Sequence, residues 1–297
     1  MSKPIVNAKT EVYAILGDPI SQSMSPVIMN SMFNRLNMDK VFLAFRANLS
    51  NIDQVMRVLK SFDLKGYVYT MPVKEHAAKH LDSLKDEAEI TGAVNCVCNI
   101  NGQLIGYNTD SIGFWNAIQE KNTNKRDIKK VFVLGAGGFA KAAVAQAALQ
   151  GVKEIVVSNI LSDEKYVTSF KRFLKRLEQK VPDVNVRLID WDSQLWINDV
   201  KDADVVANAT PNGMGGKGDS HLVFPYEATN KDAIFFDAVY EPLVTDFLAK
   251  AREYGFTTVE GLDLLVHQGA CSFKNWTGIE VNPAEMKSDI INFLKTN

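Results

Sequence analysis

The sequence of 297 residues predicts an α/β fold in two domains, and three observations carry that prediction. Short apolar, β-branched runs alternate with segments of helical spacing between Glu11 and Val259, as in strands joined by crossover helices. The alternation is interrupted by a polar stretch, Lys121–Lys129 (KNTNKRDIK), which reads as a link between two domains. Directly after it, Lys130–Gln150 (KVFVLGAGGFAKAAVAQAALQ) joins an apolar strand, a glycine turn and an Ala-rich helix.

Taken in order, Glu11–Gly17 reads as the first strand, Asp18–Ser25 as a polar loop, and Pro26 as the opening of a helix to about Asn37. Lys40–Ala47 is a second strand. Ile52, Val55, Val58 and Leu59 give Ile52–Phe62 helical spacing. Leu64–Met71 is a third strand, stopped by Pro72, and Lys74–Leu84 reads as a helix. Ala93–Ile100 and Leu104–Tyr107 flank Asn101-Gly102, a hairpin signal because both central positions tolerate positive φ. Thr109–Glu120 is a further helix. Past the polar link, strands are expected at Val131–Leu134, Glu154–Ser158, Val186–Ile189, Asp204–Asn208, Ala233–Asp237 and Thr257–Val259. Such a series builds an open doubly wound sheet. Leu262–Trp276 and Pro283–Lys295 are helical in pattern.

Gly135, Gly137 and Ala140 stand in G-x-G-x-x-A spacing between strand and helix, the context of a dinucleotide-binding turn. The first glycine permits a tight turn, the second lets backbone approach a pyrophosphate, and the small Ala140 allows close helix–strand packing. The free N–H groups of the helix then face the phosphates. The alternative is a glycine turn of another α/β protein.

Composition narrows the remaining classes. Apolar content of 46% and charged content of 23% are those of a soluble globular chain. A net charge of −2 supplies no field for nucleic acid or an anionic membrane. Lys165–Lys180 interleaves its cations with Glu and apolar residues and reads as a solvated amphipathic helix. Cys96, Cys98 and Cys271 show no metal-ligand spacing, so no metal is expected and reduced thiols are the default. Met1–Glu11 has no apolar segment, so no secretory signal is expected and the cytoplasm is the expected compartment. Gly, Lys141 and Gln146 break the longest apolar run, arguing against a membrane span.

Three polar clusters lie at or just beyond strand ends, where ligands bind in open α/β sheets. In Gln22–Pro26, Ser25 is expected to cap a helix with Pro26 as its first residue; one serine can cap while the other binds a small carboxylate. In Thr70–Lys74, Lys74 is either a solvated helix lysine or a proton-exchanging group made suitable by partial desolvation. In the third, Asn95 joins Asn108-Thr109-Asp110, and Asp110 either caps a helix beginning at Ser111 or orients a hydroxyl with Lys74.

Together these residues resemble the shikimate dehydrogenase family over nearly the whole chain. The family's H-S-x-S-P appears as Gln22-Ser23-Met24-Ser25-Pro26, and its N-V-T-x-P-x-K is similar to Val68–Lys74. Its G-A-x-N-T and G-x-N-T-D-x-x-G match Gly92–Cys96 and Gly106–Gly113. G-A-G-G-x-A-x-A is Gly135–Ala142, N-A-T-P-x-G-M is Asn208–Met214, and D-x-x-Y-x-P-x-x-T is Asp237–Thr245. Gly261-Leu262-Asp263 through Gln268, then Phe273 and Trp276, matches the closing signature. The likeness is nearest to the quinate/shikimate dehydrogenase branch, where Met-Pro also precedes the lysine.

The resemblance implies a reversible NAD(P)-dependent oxidation of a ring hydroxyl of shikimate, with quinate as a further substrate. It implies a discontinuous substrate domain, 1–112 plus 263–297, a Rossmann-type domain, 113–262, and an active site in the cleft between them. By motif position, Ser23 and Ser25 bind the substrate carboxylate; Thr70, Asn95, Asp110 and Gln268 hold hydroxyls; Lys74 exchanges the proton with Asp110 as its partner; and Tyr240 lies near substrate and cofactor. The cofactor-binding positions are Gly135, Ala136, Gly137, Gly138, Phe139, Ala140, Asn159, Asp163, Thr210, Asn212, Met214 and Gly261. Gln22, Val68 and Cys96 depart from the usual His, Asn and Thr, which bears on substrate preference. Ile160 stands where NADP-preferring members place Arg, and Asp163 would repel a 2′-phosphate lying close to it, with Lys165 as a possible offset. NAD is therefore favoured over NADP. The ligand is a cyclitol carboxylate, with no nucleic acid or membrane partner, and a monomer or homodimer is expected. The alternatives are a paralogue preferring quinate or an aminoshikimate-type ring, and a catalytically silent nucleotide-binding redox sensor. A sensor would have no need of Lys74, Asp110 and Gln268.

Overall fold

The computed structural model describes residues 6–216 and 222–296. The expectation of no leader segment over Met1–Glu11 therefore falls partly outside the described residues. The chain divides into two compact units, Met1–Thr109 with Val266–Asn297, and Asp110–Leu265.

In the first unit the elements are β1 (Glu11–Gly17), α1 (Ser25–Arg35), β2 (Lys40–Arg46), α2 (Ile52–Ser61), β3 (Gly66–Tyr69), α3 (Lys74–Ala77), β4 (Ser83–Leu84), α4 (Asp86–Thr91), β5 (Cys96–Ile100) and β6 (Gln103–Tyr107). They form a six-stranded sheet in the order β2-β1-β3-β5-β6-β4. Strands β2, β1 and β3 run parallel, whereas β5 is antiparallel to both β3 and β6. The apolar run of β1 is buried on both faces. Ala14 and Leu16 join a core with Tyr67, Tyr69 and Val97, and Tyr13 meets Phe33 and Trp276 on the other side.

The Asn101-Gly102 hairpin forms as its residues require, with φ of 53° and 87°. Helix α5 (Thr109–Lys121) begins at the end of this unit. The C-terminal helices are α10 (Gly261–Thr277) and α11 (Pro283–Thr296). Residues from Val266 onward belong to the first unit. Trp276 donates its indole N–H to the Val97 carbonyl at 2.9 Å, and its ring occupies the space a side chain at Gly66 would need. Arg35 pairs with Glu285 and Asp289 of α11.

The structure corrects the helix expected over Lys74–Leu84. Helix α3 stops at Ala77, a 3-10 turn covers Ala78–His80, and Ser83–Leu84 pair in parallel with Ile105–Gly106. Long-range hydrogen bonds override the local spacing. Asp82 N–H donates to the Leu104 carbonyl at 2.9 Å, and its carboxylate accepts from Leu104 N–H at 2.8 Å. Leu81 and Leu84 pack over Gly106, where a Cβ would lie 2.6 and 2.8 Å from them.

The second unit contains β7 (Lys130–Leu134), α6 (Gly138–Leu149), β8 (Glu154–Ser158), α7 (Glu164–Lys180), β9 (Asn185–Ile189), α8 (Ser193–Val200), β10 (Val205–Asn208), β11 (Ile234–Asp237), α9 (Asp246–Glu253) and β12 (Thr257–Val259). Its strands are parallel throughout in the order β12-β11-β10-β7-β8-β9. That is the doubly wound dinucleotide-binding order, with the switch point between β7 and β10. Phe132, Val206, Phe224 and Phe235 lie in its core.

Lys121–Lys129 is not a link between domains: it lies inside the second unit, and the unit boundary falls at Thr109/Asp110. Its polar residues build a turn, in which the Asn122 amide donates to the Arg126 carbonyl at 2.8 Å and accepts from Arg126 N–H at 3.1 Å. Among the described residues, no helix is long and apolar enough to cross a membrane. No group of three or more His, Cys, Asp or Glu among them could hold a metal ion.

Candidate active site

The end of β1 and the end of β3 meet through backbone. Thr70 N–H donates to the Leu16 carbonyl at 2.9 Å, and Asp18 N–H to the Met71 carbonyl at 3.0 Å. Gly17 permits the approach, because a Cβ there would stand 2.8 Å from Met71 O and closer still to Thr70. The peptide bonds Asp18–Pro19 and Met71–Pro72 are both cis. The loop carrying Ser23 therefore starts beside the segment carrying Thr70 and Lys74.

Ser25 is not the cap of α1. Met24 occupies that position, with Ser25 buried inside the first turn. Pro26 has no N–H and sits in that same turn. The Ser23 hydroxyl instead accepts from Ser25 N–H at 3.3 Å.

Beyond Pro72, Lys74 opens α3 half-buried. Its carbonyl accepts from Val94 N–H at 3.0 Å, and Asn95 is tied to both neighbouring strands, through Tyr69 N–H at 2.7 Å and the Tyr107 carbonyl at 3.1 Å. Asn95, Thr109, Gln268 and Ser272 form one buried polar cluster. Asn95 Oδ1 accepts from Thr109 N–H at 2.6 Å, and Asn95 Nδ2 donates to Thr109 Oγ1 at 2.9 Å. Gln268 Oε1 lies 3.5 Å from both Asn95 Nδ2 and Thr109 Oγ1. Ser272, one turn beyond Gln268, lies 3.0 Å from Thr109 Oγ1 and donates to the Gln268 carbonyl. Buried side-chain amides held in one orientation suit the recognition of fixed hydroxyls.

In the second unit the glycine turn has the conformation its spacing requires. Gly135 has φ of +98°, and a Cβ there would lie 2.8 Å from Thr210 Cγ2. Its N–H donates to the Ser158 carbonyl at 2.7 Å. In front of Gly137 and Gly138 a Cβ would meet nothing within 4 Å. The start of α6 is thus open to an incoming phosphate. Ala136 N–H donates to Asn159 Oδ1 at 3.1 Å, so Asn159 braces the turn from the end of β8. Across the switch point, Asn208 Oδ1 accepts from Thr210 N–H and from its hydroxyl, and the Thr210 hydroxyl accepts from Asn212 N–H at 3.2 Å. These residues fit a nicotinamide dinucleotide.

Residues 15–97 match the shikimate dehydrogenase substrate binding domain family. Residues 261–288 match the Shikimate 5′-dehydrogenase C-terminal domain family. A shikimate dehydrogenase (NADP(+)) of Methanococcus maripaludis is 35% identical over 287 residues, spanning 97% of this chain and 99% of that protein. The chain belongs to the shikimate dehydrogenase family. Among solved structures, the shikimate 5-dehydrogenase of Listeria monocytogenes in complex with shikimate and NAD is similar, with a TM-score of 0.89 and 32% identity, covering 97% of this chain and 99% of that one. A shikimate dehydrogenase in complex with NADP+ gives a TM-score of 0.84 and 31% identity, with 98% of each chain covered.

Two of this shikimate dehydrogenase family member's departures from the family motifs face each other. Val68 and Cys96 are register partners across β3 and β5. Both are buried. Burial pushes the Cys96 thiol well above the usual range, with Cys98 adding to the effect. Gln22 is exposed and accepts from the Ser21 hydroxyl at 3.3 Å.

The remaining predicted residues belong to the second unit. Asp110 stands in the first turn of α5, which begins at Thr109, so it does not cap a helix beginning at Ser111. Tyr240 is half-buried, and burial, followed by nearby Glu241, raises its phenol above the ordinary range. Phe139 packs edge-on against Phe114 and stacks on Phe236. Gly261 is required by packing, since a Cβ there would lie 2.7 Å from the Ala238 carbonyl oxygen and nearer still to Val239. Met214 is exposed. Asp163 caps α7 by accepting from Tyr166 N–H at 3.5 Å.

Sequence reasoning grouped Thr109 with Asn95 but gave it no role, and it missed Ser272 as a member of the amide cluster. It also missed Asp237, which is buried and accepts from Asn208 Nδ2, Val239 N–H and the Thr245 hydroxyl. The four-residue step from Gln268 to Ser272 was the available signal, because it puts both on one helix face.

Proposed function

We propose that this chain catalyses the reversible NAD(P)-dependent oxidation of a ring hydroxyl of shikimate to the ketone of 3-dehydroshikimate. The buried Asn95–Thr109–Gln268 cluster, with Lys74 held beside it through Val94, carries this reading. Ser23 and Ser25 bind the carboxylate, and Thr70, Asn95 and Gln268 hold ring hydroxyls. Lys74 Nζ exchanges the proton of the reacting hydroxyl, and Asp110 orients that hydroxyl and the ammonium. Tyr240 contributes a neutral phenol near the substrate. Gly135–Ala140, Asn159, Thr210 and Asn212 would hold the dinucleotide. Met214 and Gly261 flank it. When bound, it supplies the hydride acceptor. Orientation of the ring by fixed side chains lowers the entropic part of the barrier.

The substrate-binding part in this reading is 1–112 with 263–297, and the dinucleotide-binding part is 113–262. NAD is the favoured nucleotide, because Ile160 offers no guanidinium to a 2′-phosphate. A preference for quinate is the second reading, favoured by the apolar Val68–Cys96 pair and by Gln22, which together loosen the polar surroundings of the ring. A matrix of kcat/KM for shikimate and quinate with NAD+ and NADP+ tests all of this. The shikimate column with NAD+ is expected to be the largest; turnover of neither acid with either nucleotide refutes the proposal.

A further inference from the structure

We propose that Asp190 is a positioning and specificity-determining residue for the nucleotide, fixing the loop after β8 and disfavouring a 2′-phosphate there. The inference rests on the reading that the second unit binds NAD(P). In a doubly wound sheet the adenosine ribose is met at the end of the strand that follows the glycine turn. Here that end is Ser158–Asn159. Ile189 is the register partner of Ser158, and Asn159 N–H donates to the Ile189 carbonyl at 3.1 Å. Asp190, the next residue, is therefore the neighbour of Asn159 across the sheet.

Its carboxylate reaches over to the loop. Asp190 Oδ1 accepts from Leu161 N–H at 3.0 Å and from Trp191 N–H at 2.9 Å. Its carbonyl accepts from the Ser158 hydroxyl at 3.0 Å, and that hydroxyl accepts from the Trp196 indole at 2.9 Å. One residue thus ties Leu161 to β9 while its own backbone is tied to β8 and α8. The two N–H bonds hold the carboxyl below the usual carboxylate range, so it is charged at neutral pH. Asp190 is exposed and makes no ion pair among the described residues. Of the acids that follow this loop, Asp163 is engaged in capping α7 and Glu164 stands in its first turn. The loop itself, Asn159 to Ser162, brings no cation.

A fixed, unneutralised carboxylate beside the ribose leaves NAD unaffected and opposes the dianionic 2′-phosphate of NADP. Calorimetric titration of NAD+ and NADP+ into wild-type, Asp190→Asn and Asp190→Glu proteins tests it without turnover. Asp190→Asn is expected to tighten NADP+ by about three- to ten-fold while changing NAD+ by less than about two-fold, an effect that shrinks as salt is added. Asp190→Glu, which keeps the charge, is expected to retain the wild-type ratio of affinities. An unchanged ratio in Asp190→Asn, with both nucleotides still bound, overturns this inference alone. Wild-type protein that binds neither nucleotide overturns the parent reading and this one with it.

Discussion

The backbone N–H of Thr109 donates to Asn95 Oδ1 at 2.6 Å. This bond settles which end of the Asn95 amide is donor and which is acceptor, so that Nδ2 faces the Thr109 hydroxyl and Gln268. A hydroxyl at position 109 then holds Asn95, Gln268 and Ser272 in one arrangement. Thr109→Val is expected to raise the shikimate KM by roughly ten-fold with a smaller change in kcat, since it frees the amides proposed to hold the ring hydroxyls. Stripping the hydroxyl from its buried partners should also cost about 1–3 kcal/mol of stability. Steady-state kinetics and urea unfolding separate the two effects. An unaltered KM would detach this cluster from substrate binding.

Lys74→Ala is expected to lower kcat by roughly 10²–10⁴ while leaving KM nearly constant, because it removes proton exchange and not ring binding. Ser23→Ala should do the reverse and raise KM. Initial rates with shikimate decide both, and near wild-type kcat in Lys74→Ala would end its assigned role.

Gly135→Ala places a Cβ 2.8 Å from Thr210 Cγ2 at a φ of +98°. The backbone term alone is about 1–3 kcal/mol, and the clash displaces Thr210 from the turn. Loss of NAD(P) binding by calorimetry, with a lowered Tm, is the expected outcome. Full affinity would mean that the turn does not need glycine.

Tyr67 has a buried hydroxyl without a hydrogen-bond partner among the described residues. Burial, helped by the charge of Asp82, pushes its pKa from the ordinary 10.0 to about 12. The folded state therefore keeps this proton between pH 10 and 12 while the unfolded chain loses it. The stability contribution is fully present below pH 10 and disappears as pH rises toward 12. Tyr67→Phe is expected to be neutral to about 1 kcal/mol stabilising near pH 7 and to flatten the alkaline decline. Urea titrations at pH 7 and across the alkaline window check both parts; a Tyr67→Phe protein clearly weaker at pH 7 would contradict them.

Asp237 accepts hydrogen bonds from Asn208, Val239 and Thr245 at the ends of β10 and β11. Asp237→Ala leaves those buried donors unmatched and should cost roughly 2–4 kcal/mol. Because Asn208 also orients Thr210, nucleotide affinity should fall as well. Asp237→Asn, which can still accept at Oδ1, is expected to recover most of the stability.

The sequence by itself determined the second unit: its strands, its glycine turn and the parallel doubly wound order follow from signals within a few residues of one another. β-branched runs specify buried parallel strands, and Gly135 is needed for a backbone angle other residues resist. The candidate residues Ser23, Thr70, Lys74, Asn95 and Gln268 were also legible, by motif. Tertiary structure alone decided that Ser83–Leu84 form a strand, that Lys121–Lys129 is a turn and not a link, and that Met24 rather than Ser25 precedes α1. It alone joined Asn95 to Gln268, 173 residues apart, through Thr109 and Ser272. The physical reason is common to these cases: a polar group takes whichever partner the fold brings near, and for Asp82, Asn95 and Thr109 that partner lies far along the chain, where local spacing carries no information.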